Sequence, residues 1–180
     1  VMYTLAGLND PKKGWGVKEE TWNALGSLKK YGLDTWFQLG DKDLATHIRR
    51  TQLLKKGLKL SEVTRNLSSQ LGLKHNILPM SETPVQTVIQ TDQGKLSFQE
   101  YFVKHKCNPI VTSISFEGIE KETPSAEFVR SVNKSDALII CPSNPFLSAA
   151  PILNLPGIST TLRNLKVPRI AISPIVGGKS

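Results

Sequence analysis

Cysteine is scarce: Cys107 and Cys141 stand alone in 180 residues, too few for a disulfide scaffold and without metal-ligand spacing. Histidine is nearly as scarce. His47, His75 and His105 are dispersed, so a His-ligated zinc site has no support. Apolar runs are short, and none approaches the ~18 residues that cross a bilayer, which argues against an integral membrane protein. No basic, apolar leader opens the chain, which begins Val1-Met2-Tyr3-Thr4. With so little cysteine, a reducing, cytoplasmic setting is expected. Low-complexity tracts and internal repeats are also lacking.

What is present describes a globular domain, with 39% hydrophobic and 21% charged residues. Lys and Arg total 23 against 15 acidic residues, a net charge of +8 that favours an anionic partner. Nucleic-acid readers concentrate such charge or interleave it with aromatics. Here the basic clusters are only pairs, such as Lys12-Lys13, Lys29-Lys30, Arg49-Arg50 and Lys55-Lys56, which read as solvated helix faces. A phosphorylated small molecule is the partner this composition favours, with no nucleic acid and no membrane.

The first part of the chain reads as helices. Apolar spacing predicts them over 1–8, 18–31 and 44–56, and over a run starting at Ser61, with Gly32, Gly57 and Gly72 as stops. Asp41 or Asp43 is expected to cap the third, and Ser61 the fourth. From residue 73 the rhythm changes. Strands are expected at 75–79, 85–91, 95–102, 110–116, 136–141 and 169–173, the second and third joined as a hairpin through Asp92-Gln93-Gly94. Helices are expected over 124–134 and 159–165. Asp136-Ala137-Leu138-Ile139-Ile140-Cys141 is almost continuously apolar after a helix, the pattern of a parallel strand covered on both faces. The fold class is therefore α/β: a Rossmann-like, mostly parallel sheet with a helical insertion and a β-hairpin. Residues 1–72 form the helical region and 73–180 the α/β core. The first helix lacks a preceding cap and the chain stops just after its last strand, so a fragment of a longer protein is expected.

Four stretches could carry chemistry. Cys141-Pro142-Ser143-Asn144-Pro145 follows a buried strand, where open α/β sheets bind ligands, and Ser143 and Asn144 offer short polar groups there. A strand-to-helix turn would use the same residues. Gly178-Lys179-Ser180 suggests a P-loop, but Ser173 stands where that motif needs its first glycine. Lys179 remains a candidate phosphate contact. Asp43, His47 and Arg50 fall on one helix face, with Asp41 just before them. Such a set could hold Mg²⁺ through one or two carboxylates, although an N-cap and a helix ion pair explain it equally. Trp15 lies between Gly14 and Gly16, and with Trp22 and Trp36 nearby could stack on a flat heterocycle; tryptophans in helical regions also serve as core.

Together with residues 1–7, 36–50, 77–81, 141–156 and 167–179, the Gly14-Trp15-Gly16-Val17 motif resembles the 2-phospho-L-lactate transferases of coenzyme F-420 biosynthesis. The resemblance covers nearly the whole chain. It implies a Rossmann-like core that holds a guanosine diphosphate ester, and a helical insertion that helps bind the deazaflavin Fo. The implied reaction moves a phospholactyl or phosphoenolpyruvyl group from lactyl-2-diphospho-5'-guanosine, or its enolpyruvyl analogue, to a ribityl hydroxyl of Fo. GMP leaves, and Mg²⁺ is required. By the same resemblance Asp41 and Asp43 are the catalytic and metal candidates. Gln38, Trp15, His47, Arg50, Ser143, Asn144 and Lys179 are the substrate-binding candidates, and a homodimer is left open.

The sequence departs from the family in two places. The Asp and the Gly-rich phosphate loop that precede Val1 in the family are not in this chain, so the isolated segment is expected to be inactive. Gln38 occupies the place of an Arg or Lys before Leu39-Gly40-Asp41 and brings no charge to Fo. The alternative is a nucleotide-sugar-binding regulatory protein of the same fold without transferase activity.

Overall fold

A computed structural model describes residues 1–174 and divides the chain into two compact units, Val1–Leu78 and a second that starts at Pro79. Each is considered by itself. Among the described residues no helix is long and apolar enough to cross a membrane.

The first unit contains α1 (Met2–Leu5), α2 (Asn23–Lys30), α3 (Asp41–Lys55) and α4 (Leu60–Gln70). Helices α3 and α4 pack together, with Leu53 and Val63 as the buried apolar side chains of this unit. The expected helix over 18–31 is shortened at its start. Glu19 takes a left-handed φ of 52°, which ends any helix there, and α2 begins only at Asn23. Helix α3 starts at Asp41 itself, with Gly40 as N-cap, so neither Asp41 nor Asp43 is its cap. Ser61 lies inside α4; the N-cap is Lys59, whose N–H is accepted by Glu62 Oε2 at 2.7 Å. The strand expected over 75–79 does not form. This unit offers no sheet edge among its described residues, and Pro79 brings no N–H.

In the second unit β1 (Gln86–Thr91) is the centre of a three-stranded antiparallel sheet, flanked by β2 (Gly94–Ser97) and β3 (Val111–Glu117). The hairpin forms as expected: Thr91 pairs with Gly94 across Asp92-Gln93, and Gly94 takes the left-handed φ of 108° that the turn needs. Strand β2 ends at Ser97, short of the expected 102. Ser97 and Glu100 close a capping box there. Glu100 accepts the Ser97 N–H at 2.8 Å, and Ser97 Oγ accepts the Glu100 N–H at 3.3 Å. The chain then turns into a π-helical segment, Glu100–Lys104, whose Phe102 stacks on Phe98 just before it at 5.6 Å.

Helix α5 (Ala126–Asn133) leads to β4 (Leu138–Ile140); a π-helical turn, Pro145–Ala149, then passes into α6 (Ala150–Leu153) and α7 (Ile158–Asn164) before β5 (Arg169–Ala171). Strands β4 and β5 pair in parallel, the crossover that the strand-helix-strand rhythm implies. The α/β class holds. Among the described residues parallel pairing is confined to this two-stranded sheet, while the larger sheet is antiparallel, so the expected mostly parallel sheet is not what these residues form. Val88, Ile89, Val132, Leu155 and Ile158 are buried in this unit. Strand β4 is not covered on both faces, however: Ile139 is 58% exposed and Ile170 of β5 52%. Two strands have too few neighbours to enclose one another.

Candidate functional site

The segment joining α2 to α3 is held by two carboxylates that exchange roles. Glu20, before α2, binds the start of α3: its Oε1 accepts the Lys42 N–H at 2.8 Å and its Oε2 the Asp43 N–H at 3.2 Å. Asp41, first residue of α3, binds the start of α2. Its Oδ2 accepts the Asn23 N–H at 3.0 Å and the Thr21 hydroxyl at 2.7 Å, and its Oδ1 accepts the Ala24 N–H at 3.0 Å. Each anion thus satisfies the orphan donors of the other element's helix and sits at the favourable end of its dipole. The Thr21 hydroxyl, followed by the Ala24 N–H, holds the Asp41 carboxyl below the usual carboxylate value.

Gly40 makes this arrangement sterically feasible. Its φ of −78° and ψ of 165° are open to any residue, but a Cβ there would overlap Cγ, Cδ and Oε2 of Glu20. The glycine is required by the close approach of Glu20 rather than by its backbone angles.

Asp43 lies one turn further along. Its Oδ1 accepts the Tyr3 hydroxyl at 2.7 Å and stands 3.8 Å from His47 Nε2, while Oδ2 accepts no hydrogen bond among the described residues. Burial pushes the Tyr3 hydroxyl up to about 12; a hydrogen bond with Thr46 opposes that shift, and the Asp43 carboxylate adds to it. Tyr3 is therefore a proton donor to Asp43 across the ordinary pH range.

Asp43 borders a cavity of about 170 Å³ that also meets Tyr3, Lys13, Trp15, Trp22 and Gln38. Three sequence candidates, Trp15, Gln38 and Asp43, thus come together, and His47 reaches them through Asp43. Asp41 does not border the cavity, and Arg50 is exposed on α3. Tyr3, Lys13 and Glu20 were not apparent as site residues in the sequence. Lys13 read as half of a solvated basic pair, and Glu20 acts on residues more than twenty positions away.

In the second unit Asn144 is engaged locally. Its Oδ1 accepts the Phe146 and Leu147 N–H groups, both at 2.9 Å, which makes it the cap of the π-helical turn. Ser143 is half-buried beside it. A groove of about 670 Å³ runs past Gln86, Lys95, Ser97 and Glu117 to Leu147 and Ser148, a volume within the ~300–1,000 Å³ usual for small-molecule sites. Lys179 lies outside the described residues.

Among the described residues no three His, Cys, Asp or Glu side chains are arranged to hold a metal ion. Mg²⁺ asks for less, because one or two carboxylates with substrate oxygens and water complete its shell. Asp43 fits that requirement through its open Oδ2. An ion at Asp41 would have to displace Thr21, Asn23 and Ala24.

A family model described as 2-phospho-L-lactate transferase CofD matches residues 1–180. The chain belongs to this family. It is 40% identical over 180 residues to a 2-phospho-L-lactate transferase of Methanococcoides burtonii, covering 100% of this chain and 58% of that protein. It is 38% identical over 185 residues to a phosphoenolpyruvate transferase of Mycobacterium tuberculosis, covering 99% of this chain and 56% of that protein. The chain thus spans little more than half the length of these CofD-family relatives. Two crystal structures of one Bacillus halodurans protein, described in one of them as a member of the UPF0052 family, superpose with TM-scores of 0.65 and 0.64. Both cover 94% of this chain and 50% of the other, at 15% and 16% identity, a likeness that shows the shared fold alone.

Proposed function

We propose that the chain is part of a transferase that moves a 2-phospholactyl or phosphoenolpyruvyl group from its diphosphoguanosine carrier to the deazaflavin Fo, in the cytoplasm and within coenzyme F-420 biosynthesis. The observation that carries this reading is the match of the CofD family model to all 180 residues, with relatives named for each of the two donors. In the reaction a ribityl hydroxyl oxygen forms a bond to the phosphorus that bears the lactyl or enolpyruvyl ester. The bond from that phosphorus to the bridging oxygen breaks, and GMP leaves with the electron pair. The hydroxyl proton passes to a base. Catalysis of this kind rests on positioning and charge neutralisation.

Asp43 is the residue we assign to the hydroxyl. Its Oδ2 takes the proton or shares in holding Mg²⁺, while Tyr3 and His47 fix the carboxylate from its other oxygen. Asp41 serves the same site by holding the start of α2, which keeps the segment carrying Gln38 in place. Trp15 and Gln38 meet the acceptor ring. Ser143 and Asn144, with Lys179, are assigned to the guanosine diphosphate end, and Arg50 to phosphate. Mg²⁺, when bound, neutralises the diphosphate oxygens on which charge develops.

The full-length protein incubated with Mg²⁺, Fo and each donor in turn is expected to yield a phosphorylated deazaflavin and GMP, read by mass spectrometry. Absence of GMP with both donors, alongside tight binding of a nucleotide sugar, would overturn the transferase reading in favour of a binding protein.

A further inference from the structure

The loop before α2 sets Lys13 and Trp22, which the transferase reading leaves unused, beside Trp15. Lys13 Nζ lies 5.4 Å from the centroid of the Trp15 ring and 5.6 Å from that of Trp22, so one ammonium group stands over both indoles. The two ring centres are therefore at most 11.0 Å apart. Stacked or edge-on aromatic pairs place their centroids about 4.5–7 Å apart, so a single flat ring in contact with both indoles would fill the position that the ammonium now takes. The cavity beside them is about 170 Å³, below the ~300 Å³ at which small-molecule sites usually begin. Lys13 is among the residues lining it.

The backbone around Lys13 is held by local hydrogen bonds, while its ammonium is held by the two indoles. Asp10 Oδ1 accepts the N–H groups of Lys12 and Lys13 at 2.8 and 3.2 Å, and the Asp10 carbonyl accepts the Gly14 N–H at 2.9 Å. Asn9 bridges to Val17 and closes the loop at its base. Gly14 and Gly16 take left-handed φ values of 75° and 73°, which present Trp15 outward between them. Trp15 is 61% exposed, so a planar ligand can reach it from solvent.

We propose that Lys13 is an internal placeholder at Trp15 and Trp22, displaced when a planar heteroaromatic ring enters to stack on these indoles. The inference deepens the acceptor-side reading above and rests on it for the identity of the natural ligand. The placeholder itself is tested with a neutral flat ring. Lys13 holds its place by cation–π attraction to two indoles, and a ring entering there must forfeit it. Removing the lysine should therefore tighten binding.

The test titrates the protein into riboflavin and follows quenching of the flavin fluorescence. Lys13→Ala is expected to lower the dissociation constant roughly threefold to tenfold, the equivalent of one or two exposed cation–π contacts. Lys13→Arg, which keeps a cation over the rings, should leave it near the starting value. Trp15→Ala and Trp22→Ala should each weaken binding at least about tenfold, as loss of ring stacking does elsewhere. Circular dichroism confirms that each variant is folded. Unchanged or weaker binding in folded Lys13→Ala, or no binding by either form, would overturn the proposal. Tighter binding in Lys13→Ala without any transferase activity in the full-length protein would keep the placeholder and discard the reaction.

Discussion

Replacing Gly40 by alanine should destabilise the first unit for one reason, the loss of Glu20 from its position. The backbone at Gly40 accepts alanine without strain, and the entropy lost by removing a glycine favours the folded state by about 0.4–1 kcal/mol. A poorer intrinsic N-cap offsets that gain by a similar amount. What remains is the overlap of the new Cβ with the Glu20 side chain, which must swing away. In doing so it gives up the N–H groups of Thr21, Lys42 and Asp43, at 3.0, 2.8 and 3.2 Å, and uncaps α3. Losing a side-chain cap of this kind costs about 2 kcal/mol at the upper end of its range. The three tryptophans, Trp15, Trp22 and Trp36, all lie in Val1–Leu78, so their fluorescence during urea unfolding reports this unit. The midpoint should fall by roughly 1–2 M. Glu20→Ala should cost a similar amount, and the double variant little more than either single one, because alanine at 20 leaves nothing to clash. Additive costs in the double variant would refute the reasoning.

Other predictions concern the same segment and the second unit. Asp41 has its carboxyl lowered by the Thr21 and Ala24 hydrogen bonds, so it contributes stability above pH 3.8 that is lost as pH falls through the folded value. Asp41→Asn should flatten the acid limb of a stability–pH curve of the first unit, and an unchanged limb would remove the cap from the account. Tyr3, pushed up to about 12 from 10.0, contributes stability that is full below pH 10 and fades as pH rises toward 12. A phenolate absorbance titration should lose a step near pH 12 in Tyr3→Phe, which would otherwise titrate like the parent protein. Asp43→Asn in the full-length protein should lower kcat about a hundredfold or more, with Mg²⁺ affinity measured beside it; full activity would free Asp43 of both roles. Asn144→Ala should destabilise the second unit by about 1 kcal/mol through loss of the cap on Phe146 and Leu147, a change visible as an earlier thermal transition by circular dichroism.

The elements that could be read from sequence are those whose cause is local. The hairpin at Asp92-Gln93-Gly94, helix α5 and the parallel β4–β5 pair follow from alternation, turn residues and apolar runs within a few positions, and the structure has them all. The capping box Ser97-Phe98-Gln99-Glu100 was equally local but hidden inside an apolar stretch that reads as strand. Family membership was likewise carried by motifs in order along the chain, and the family model spans every residue of it.

What only the tertiary structure decided is the use to which the charged and aromatic residues are put. Asp41 in sequence is a carboxylate before a helix, open to metal, substrate or cap. In the fold it meets Thr21, Asn23 and Ala24, and both oxygens accept hydrogen bonds. Asp43 has one oxygen taken by Tyr3, forty positions away, and the other without a hydrogen bond among the described residues. Lys13 counts as one of 23 cations until two indoles are found within 6 Å of it. Periodicity fixes which face a residue occupies, because the backbone repeat is set by local sterics. The partner it meets there depends on chain returning from a distance, which no local pattern encodes.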